Sequence, residues 1–224
     1  MCCATSPHTG KEEQAMPPKA KFTREEIIEK TLSVVREKGA DAVTAREVAA
    51  ALGMSSRPIF TWFSSMDELK AGVRAAAEEL FQQYVDSGLR EKIPFLGVGM
   101  NTVRFAKEEP ELYKLLFLSP AESGVVTGVS ADSRGVVRRG IMDIYRMSAA
   151  EADCYFSHLW LTAYSMATMT AMGHRSFSED EARMIFAQAS AACCRAIKEI
   201  DGFAQGRFER DKVFMQLISQ SSGQ

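Results

Sequence analysis

Behind Gly53 runs the segment Ser55-Ser56-Arg57-Pro58-Ile59-Phe60-Thr61-Trp62-Phe63, which combines short hydroxyls and one guanidinium with large apolar rings. Hydroxyls bond donors or acceptors on base edges, and arginine matches guanine with two parallel N–H bonds, so these residue types suit duplex reading. Arg57 is the candidate guanine contact, with Ser55 and Ser56 beside it at base edges. Thr61 and Trp62, one turn later, are candidates for holding flanking phosphates through a hydroxyl and an indole N–H. Bond-breaking chemistry has no comparable support: there is no G-x-S-x-G, P-loop, G-x-G-x-x-G or H-E-x-x-H pattern, so no catalytic residue is assigned and no enzyme is expected. His158 and His174 are read as core or surface residues, with no cysteine or carboxylate seen at ligand spacing on a matching face. No metal and no cofactor are therefore assigned. Cys2-Cys3, Cys154 and Cys193-Cys194 form two adjacent pairs and a single with no CxxC spacing, which reads as reduced thiols.

The elements that must position the candidate segment are helices. From Thr23 onward no alternating strand pattern occurs, so the fold class is all-α: a three-helix helix-turn-helix head joined to a larger helical region. The first helix, about 24 to 38, places Ile27, Ile28, Leu32, Val34 and Val35 near one face and stops at Gly39. Thr44-Ala45-Arg46-Glu47 has the spacing of a capping box at the start of a second helix, whose inner side is Val48, Ala49 and Leu52. Gly53 suits a tight turn, Ser55 a cap, and Pro58 the first turn of a third helix from Ser55 or Ser56 to Phe63, with Ile59 and Phe63 inward. A fourth helix, about 67 to 88, opens with Asp67 and Glu68 at its positive dipole end. Further helices are predicted at about 92 to 108, 110 to 118, 131 to 147, 150 to 172, 179 to 200 and 207 to 219, with a mobile loop from Ser119 to Ser133. The division is thus a disordered lead over 1–21, the head over 22–68, and a ligand-binding and dimerisation region over 69–220.

Composition narrows the partners. With 46% hydrophobic and 25% charged residues and no uninterrupted apolar run of membrane length, the chain reads as globular. The N-terminus lacks the apolar run of a secretory signal, which implies a cytoplasmic address and no membrane partner. A net charge of −2 rules out DNA attraction by bulk charge, so any DNA contact must come from a local arrangement. Lys19, Lys21 and Arg24 supply local positive charge just ahead of the head, as phosphate contacts or as a solvated tail. Met16 opens the segment MPPKAKFTREE and is an alternative start for the chain.

The stretch Thr23 to Leu69 resembles the TetR-family DNA-binding domain. It matches the family's helix ending in glycine, its T-x-R-E-x-A block at Thr44-Ala45-Arg46-Glu47-Val48-Ala49, its L-G-x-S turn at Leu52-Gly53-Met54-Ser55 and its aromatic-rich recognition helix. The run from Phe105 to Phe117, with FAKEEPELY and then LLF, is similar to a segment of some members' regulatory domains. The resemblance implies that Thr44 and Arg46 face the phosphate backbone and that Ser55 to Trp62, Pro58 and Phe60 included, form the DNA-reading helix. Members often carry tyrosine at Phe60, lysine at Met66 and threonine at Pro58; this chain lacks those polar ends. A palindromic double-stranded operator, a homodimer and a small apolar effector are the partners implied.

The second region fits that role. Residues 150–172 carry apolar side chains on every side of a helical wheel, so the helix must be buried on every side, partly against its own region and partly against a second copy. Ala189, Ala192 and Ala196 on the next helix permit close approach, and TetR-like proteins pair two such helices. Phe95, Met100, Phe105, Phe117, Met142, Tyr145, Trp160 and Tyr164 are the candidate lining of an effector cavity, or else ordinary core. The function expected is a repressor released from its operator by an apolar ligand; the alternative is a DNA-binding factor of the same fold with no inducer.

Overall fold

The computed structural model of the chain describes residues 22–119 and 129–221. Lys19 and Lys21, the expected disordered lead and most of the expected loop after Ser119 lie outside the described residues. Among the described residues the regular structure is helical without strands, as the hydrophobic periodicity predicts. No described helix is long and apolar enough to cross a membrane.

Helices α1 (Arg24–Lys38), α2 (Ala45–Leu52) and α3 (Ile59–Trp62) form the head. Helix α4 (Met66–Leu89) starts in the head and ends in the second region. There it packs chiefly against α5 (Pro94–Glu108), which in turn lies on α8 (Ala149–Ala171). Helix α6 (Pro110–Tyr113) runs into a wide i→i+5 turn over Lys114–Leu118, closed by the Ser119 N–H on the Lys114 carbonyl at 3.0 Å. Helices α7 (Ala131–Tyr145), α9 (Glu179–Glu199) and α10 (Arg210–Ser221) complete the described elements.

Helix starts follow from caps. Thr23 and Ser148 each form a complete capping box, with Glu26 and Glu151, while Ser65, Ser130 and Ser178 accept from the third backbone amide. The box expected at Thr44 is only half realised. Its hydroxyl accepts from Glu47 N at 3.3 Å, but the Glu47 carboxylate turns to Lys38, and the Thr44 N–H goes to Ala42 O instead.

The crossing of α4 over α5 depends on two glycines. A Cβ on Gly88 would lie 2.5 Å from the Gly97 carbonyl carbon, and one on Gly97 would lie 2.3 Å from the Gly88 carbonyl oxygen. Only hydrogen side chains allow these backbones to approach so closely. The buried face of α4 continues from Leu69 and Val73 in the head to Ala77, Phe81 and Val85 in the second region. One helix thereby belongs to both cores.

Candidate DNA-reading head

The head is built around a small core in which Ile27, Val35, Val48, Ile59, Phe63 and Leu69 are almost fully buried. Each such side chain contributes roughly 1.5–3 kcal/mol by leaving water. The turn between α2 and α3 follows from Gly53, which sits at φ 62° and ψ 38°. Its N–H bonds Ala50 O at 3.1 Å and the Met54 N–H bonds Ala49 O at 3.0 Å, the paired closure that ends a helix in a left-handed residue. No atom lies within 4 Å of a Cβ built on Gly53, so backbone conformation and not space selects glycine here.

The third helix is shorter than the sequence suggests. Regular α-helix begins only at Ile59, after a turn over Ser56-Arg57-Pro58 in which Ile59, Phe60 and Thr61 donate to the carbonyls three residues back, each at 3.2 Å. Pro58 has no N–H to continue an α ladder and disfavours helical geometry at Arg57, which explains the tight entry. The Ser55 cap expected from the sequence is absent, because the helix start falls at Pro58 with no side-chain cap bond.

With Ile59 and Phe63 locked inward, the opposite side faces outward. Ser55, Arg57, Pro58, Phe60, Thr61 and Trp62 are exposed and Ser56 is half-buried, so one surface holds all the segment's candidates. Among the described residues Arg57 has no hydrogen-bond or ion-pair partner, which leaves its guanidinium available. Thr44 and Arg46 are exposed at the start of α2.

Two candidates are engaged within the protein. The Trp62 indole N–H donates to Phe22 O at 3.0 Å, so it is occupied in the DNA-free chain and ties the segment ahead of α1 to α3. The Arg24 guanidinium lies over the Phe63 ring, 4.9 Å from its centroid, with Glu68 at 4.0 Å. Glu68 itself accepts from the Ser64 N–H and hydroxyl at 2.7 Å each, and these bonds hold its carboxyl below the usual range. Its charge at neutral pH fixes the entry into α4. Similarly, the bond between Lys38 and Glu47 raises the lysine and lowers the carboxyl, pinning the end of α1 to α2.

Sequence reasoning missed the residues that fasten the head to the second region. Arg36 forms a two-pronged pair with Glu109, Nε to Oε2 at 2.8 Å and Nη2 to Oε1 at 2.9 Å. Arg74 on α4 donates to the carbonyls of Leu115 and Leu116 at 2.7 and 3.0 Å, holding the wide turn after α6. Glu109 before Pro110 was the available signal for the first; the second has no sequence signature.

Among the described residues the eight candidate effector residues do not line one common cavity. Phe105 and Phe117 pack on Phe81, and Phe117 also stacks on Tyr113 and meets Tyr164, forming a filled aromatic cluster. Burial pushes the Tyr113 phenol well up, while its hydroxyl bonds Thr168 at 2.9 Å. Trp160 stacks on Phe156 beside a void of only about 10 Å³. Phe95 and Tyr145 line a cleft of about 550 Å³ against α9, Met100 lines a neighbouring one of about 540 Å³, and Met142 lines neither. Cys154 and His158, four apart on α8, do share a face: the thiol sulfur is 3.7 Å from Nδ1, contrary to the sequence reading. Among the described residues no third ligand-type side chain joins them in a metal-binding group.

An exposed polar surface on a short helix, held by a left-handed turn against a three-helix core, defines a helix-turn-helix DNA-binding transcription regulator. Residues 27–72, from the first turn of α1 into α4, match the model of bacterial regulatory proteins of the tetR family. The match covers the head and the start of α4, so that stretch is similar to the tetR-family DNA-binding domain and supports a DNA-binding transcription regulator. No curated protein is matched by the chain.

Proposed function

We propose that this regulator is a homodimeric repressor that binds a palindromic operator and leaves it when a small, largely apolar ligand binds the second region. The observation that carries the DNA half is the sidedness of α3: Ile59 and Phe63 are buried while Ser55, Arg57 and Thr61 lie exposed, with no partner for Arg57 among the described residues. Arg57 takes guanine, Ser55 and Ser56 neighbouring base edges, and Thr61, Thr44 and Arg46 the phosphates. Arg24 adds positive charge, and Lys19 and Lys21 precede it in the sequence. Trp62, with its indole N–H given to Phe22, acts by holding the residue ahead of α1; Pro58 and Phe60 shape the surface that meets the groove. Such a protein works where its DNA is, in the cytoplasm, as a binding protein and not an enzyme.

Dimerisation is supported by the outer faces of α8 and α9, where Leu161, Met169, Met172 and Met184 are exposed. Leu161 is 60% exposed in the single chain, an unfavourable position for leucine unless a second copy covers it. A two-fold dimer presents two α3 helices and therefore reads two related half-sites. The filled aromatic cluster favours a second reading, a DNA-binding factor of the same fold without an inducer; the clefts along α9 favour the first.

Selection from random duplexes tests the proposal. Enrichment of an inverted repeat is expected, and enrichment of no sequence at any salt concentration contradicts it. The same duplex then separates the two readings: by linkage, an inducer must bind more weakly to the DNA-bound protein by the factor with which it weakens DNA binding.

A further inference from the structure

We propose that the cleft between α5 and α9 takes a small organic carboxylate, with the apolar body on the cleft floor and the charge at its rim. This deepens the proposed function and rests on its effector reading. The floor is Ile93, Phe95, Leu96, Leu159 and Phe186, and the volume, about 550 Å³, suits a small molecule. The rim is unlike the floor. Arg183, Arg195 and Lys198 stand there with the carboxylate of Glu199, and Glu179 borders it from the first turn of α9.

Among the described residues two of the rim cations are ion-paired, and Lys198 is not. Arg183 gives Nη2 to Glu179 at 2.9 Å and Arg195 gives Nε to Glu199 at 2.8 Å, leaving other guanidinium N–H groups for a ligand. Lys198 donates to a neutral acceptor, the Arg146 carbonyl, at 2.8 Å. Glu151 is close enough to feel the Lys198 charge without pairing with it. Positions 183, 187, 190, 194 and 198 recur every three or four residues, so one face of α9 carries both the cations and the small residues Ala187, Ser190 and Cys194 that leave the space open. Inside, the Ser190 hydroxyl lies 2.6 Å from Tyr155 Oη and 3.3 Å from Tyr145 Oη, which satisfies polar groups that would otherwise oppose an apolar occupant.

This chemistry selects a monoanion with a hydrocarbon body. A phosphate would leave the large apolar floor uncovered, an amine would meet the ammonium group of Lys198, and a neutral hydrocarbon would gain nothing from the rim. The cleft also adjoins the path to the head. Leu96 on its wall precedes Gly97, whose backbone touches Gly88 of α4, while the Phe186 ring closes on Gly99. A ligand body seated between α9 and α5 therefore bears on the α4 crossing.

Calorimetric titration of the full chain with decanoate, decan-1-ol and decylammonium tests the inference. Decanoate is expected to bind at least tenfold more tightly than the alcohol, and the ammonium most weakly. In the double variant R183Q/K198Q, decanoate affinity is expected to fall to that of the alcohol, whose own affinity stays unchanged; both side chains are on the rim, and a wild-type melting profile shows that the variant folds. Ala187→Trp, filling the floor, is expected to abolish binding of all three. Equal affinities for decanoate and decanol in the wild type, or undiminished decanoate binding in R183Q/K198Q, would overturn charge recognition while leaving an apolar effector possible. Binding of none of the three would overturn the cleft as an effector site, and duplex selection by the same preparation would show whether the DNA-reading function survives.

Discussion

The head and the second region use their side chains in opposite ways. In the head, one face of each helix is core and the other is surface: Ile59 and Phe63 hold the fold, and Arg57 and Thr61, each two residues ahead of one of them, are exposed. In the second region the aromatic residues are themselves the interior, and Phe95 packs against Tyr145 and Tyr155 while also flooring a cleft. Stability and function should therefore separate cleanly by substitution in the head and remain mixed in the second region. The same contrast explains why the head is legible from sequence and the clefts are not.

The largest effect that sharpens this contrast is expected from Phe63→Ala. Removing a fully buried ring beneath Arg24 should cost about 3–5 kcal/mol in denaturant unfolding, with DNA binding lost only through unfolding. A stable Phe63→Ala protein would show that the head core is not as described. Next, Gly88→Ala drives a methyl group into the α5 backbone and should cost about 1–3 kcal/mol of stability. An unchanged melting temperature would mean that α4 and α5 separate at no cost.

Arg57→Ala should leave stability within about 0.5 kcal/mol and weaken specific DNA binding by on the order of 1–3 kcal/mol, relaxing the preference at one base per half-site. Uniform weakening across all sequences would instead make Arg57 a phosphate contact. The smallest expected change comes from Glu109→Gln. Its two-pronged pair with Arg36 is partly exposed, so stability should fall by less than about 1 kcal/mol. Its value lies in a second reading: if the pair transmits between regions, the variant's DNA affinity should respond differently to ligand despite near-normal stability.

How much the sequence revealed depended on range. Signals confined to a few residues were readable: Gly39 and Gly53 as helix ends, Thr44 as a cap, and the inward placement of Ile59 and Phe63. Features decided by residues far apart were not. Glu47 fits a capping box by spacing, yet Lys38, nine positions away, takes its carboxylate. Trp62 offers an indole N–H by composition, yet Phe22, forty positions away, accepts it. Aromatic residues at helical spacing gave no indication of which would fill the interior, as Phe117 does, and which would border empty space, as Tyr145 does. That outcome is set by where α9 stands relative to α5, a tertiary distance with no local pattern. The tight turn at Ser56-Arg57-Pro58 lies between these cases: Pro58 signalled a helix start, and its effect on Arg57 shortened α3.

The central claim is that the exposed face of α3 reads DNA as one of a pair held together by α8 and α9. Sedimentation of the protein on the selected duplex, with both half-sites and with one scrambled, measures this most directly. The account predicts two chains per duplex, a marked loss of affinity when one half-site is scrambled, and loss of both dimer and tight DNA binding in Ala192→Glu, where a carboxylate is buried in the seam. One chain per duplex, bound equally well to a single half-site and unaffected by Ala192→Glu, would contradict it.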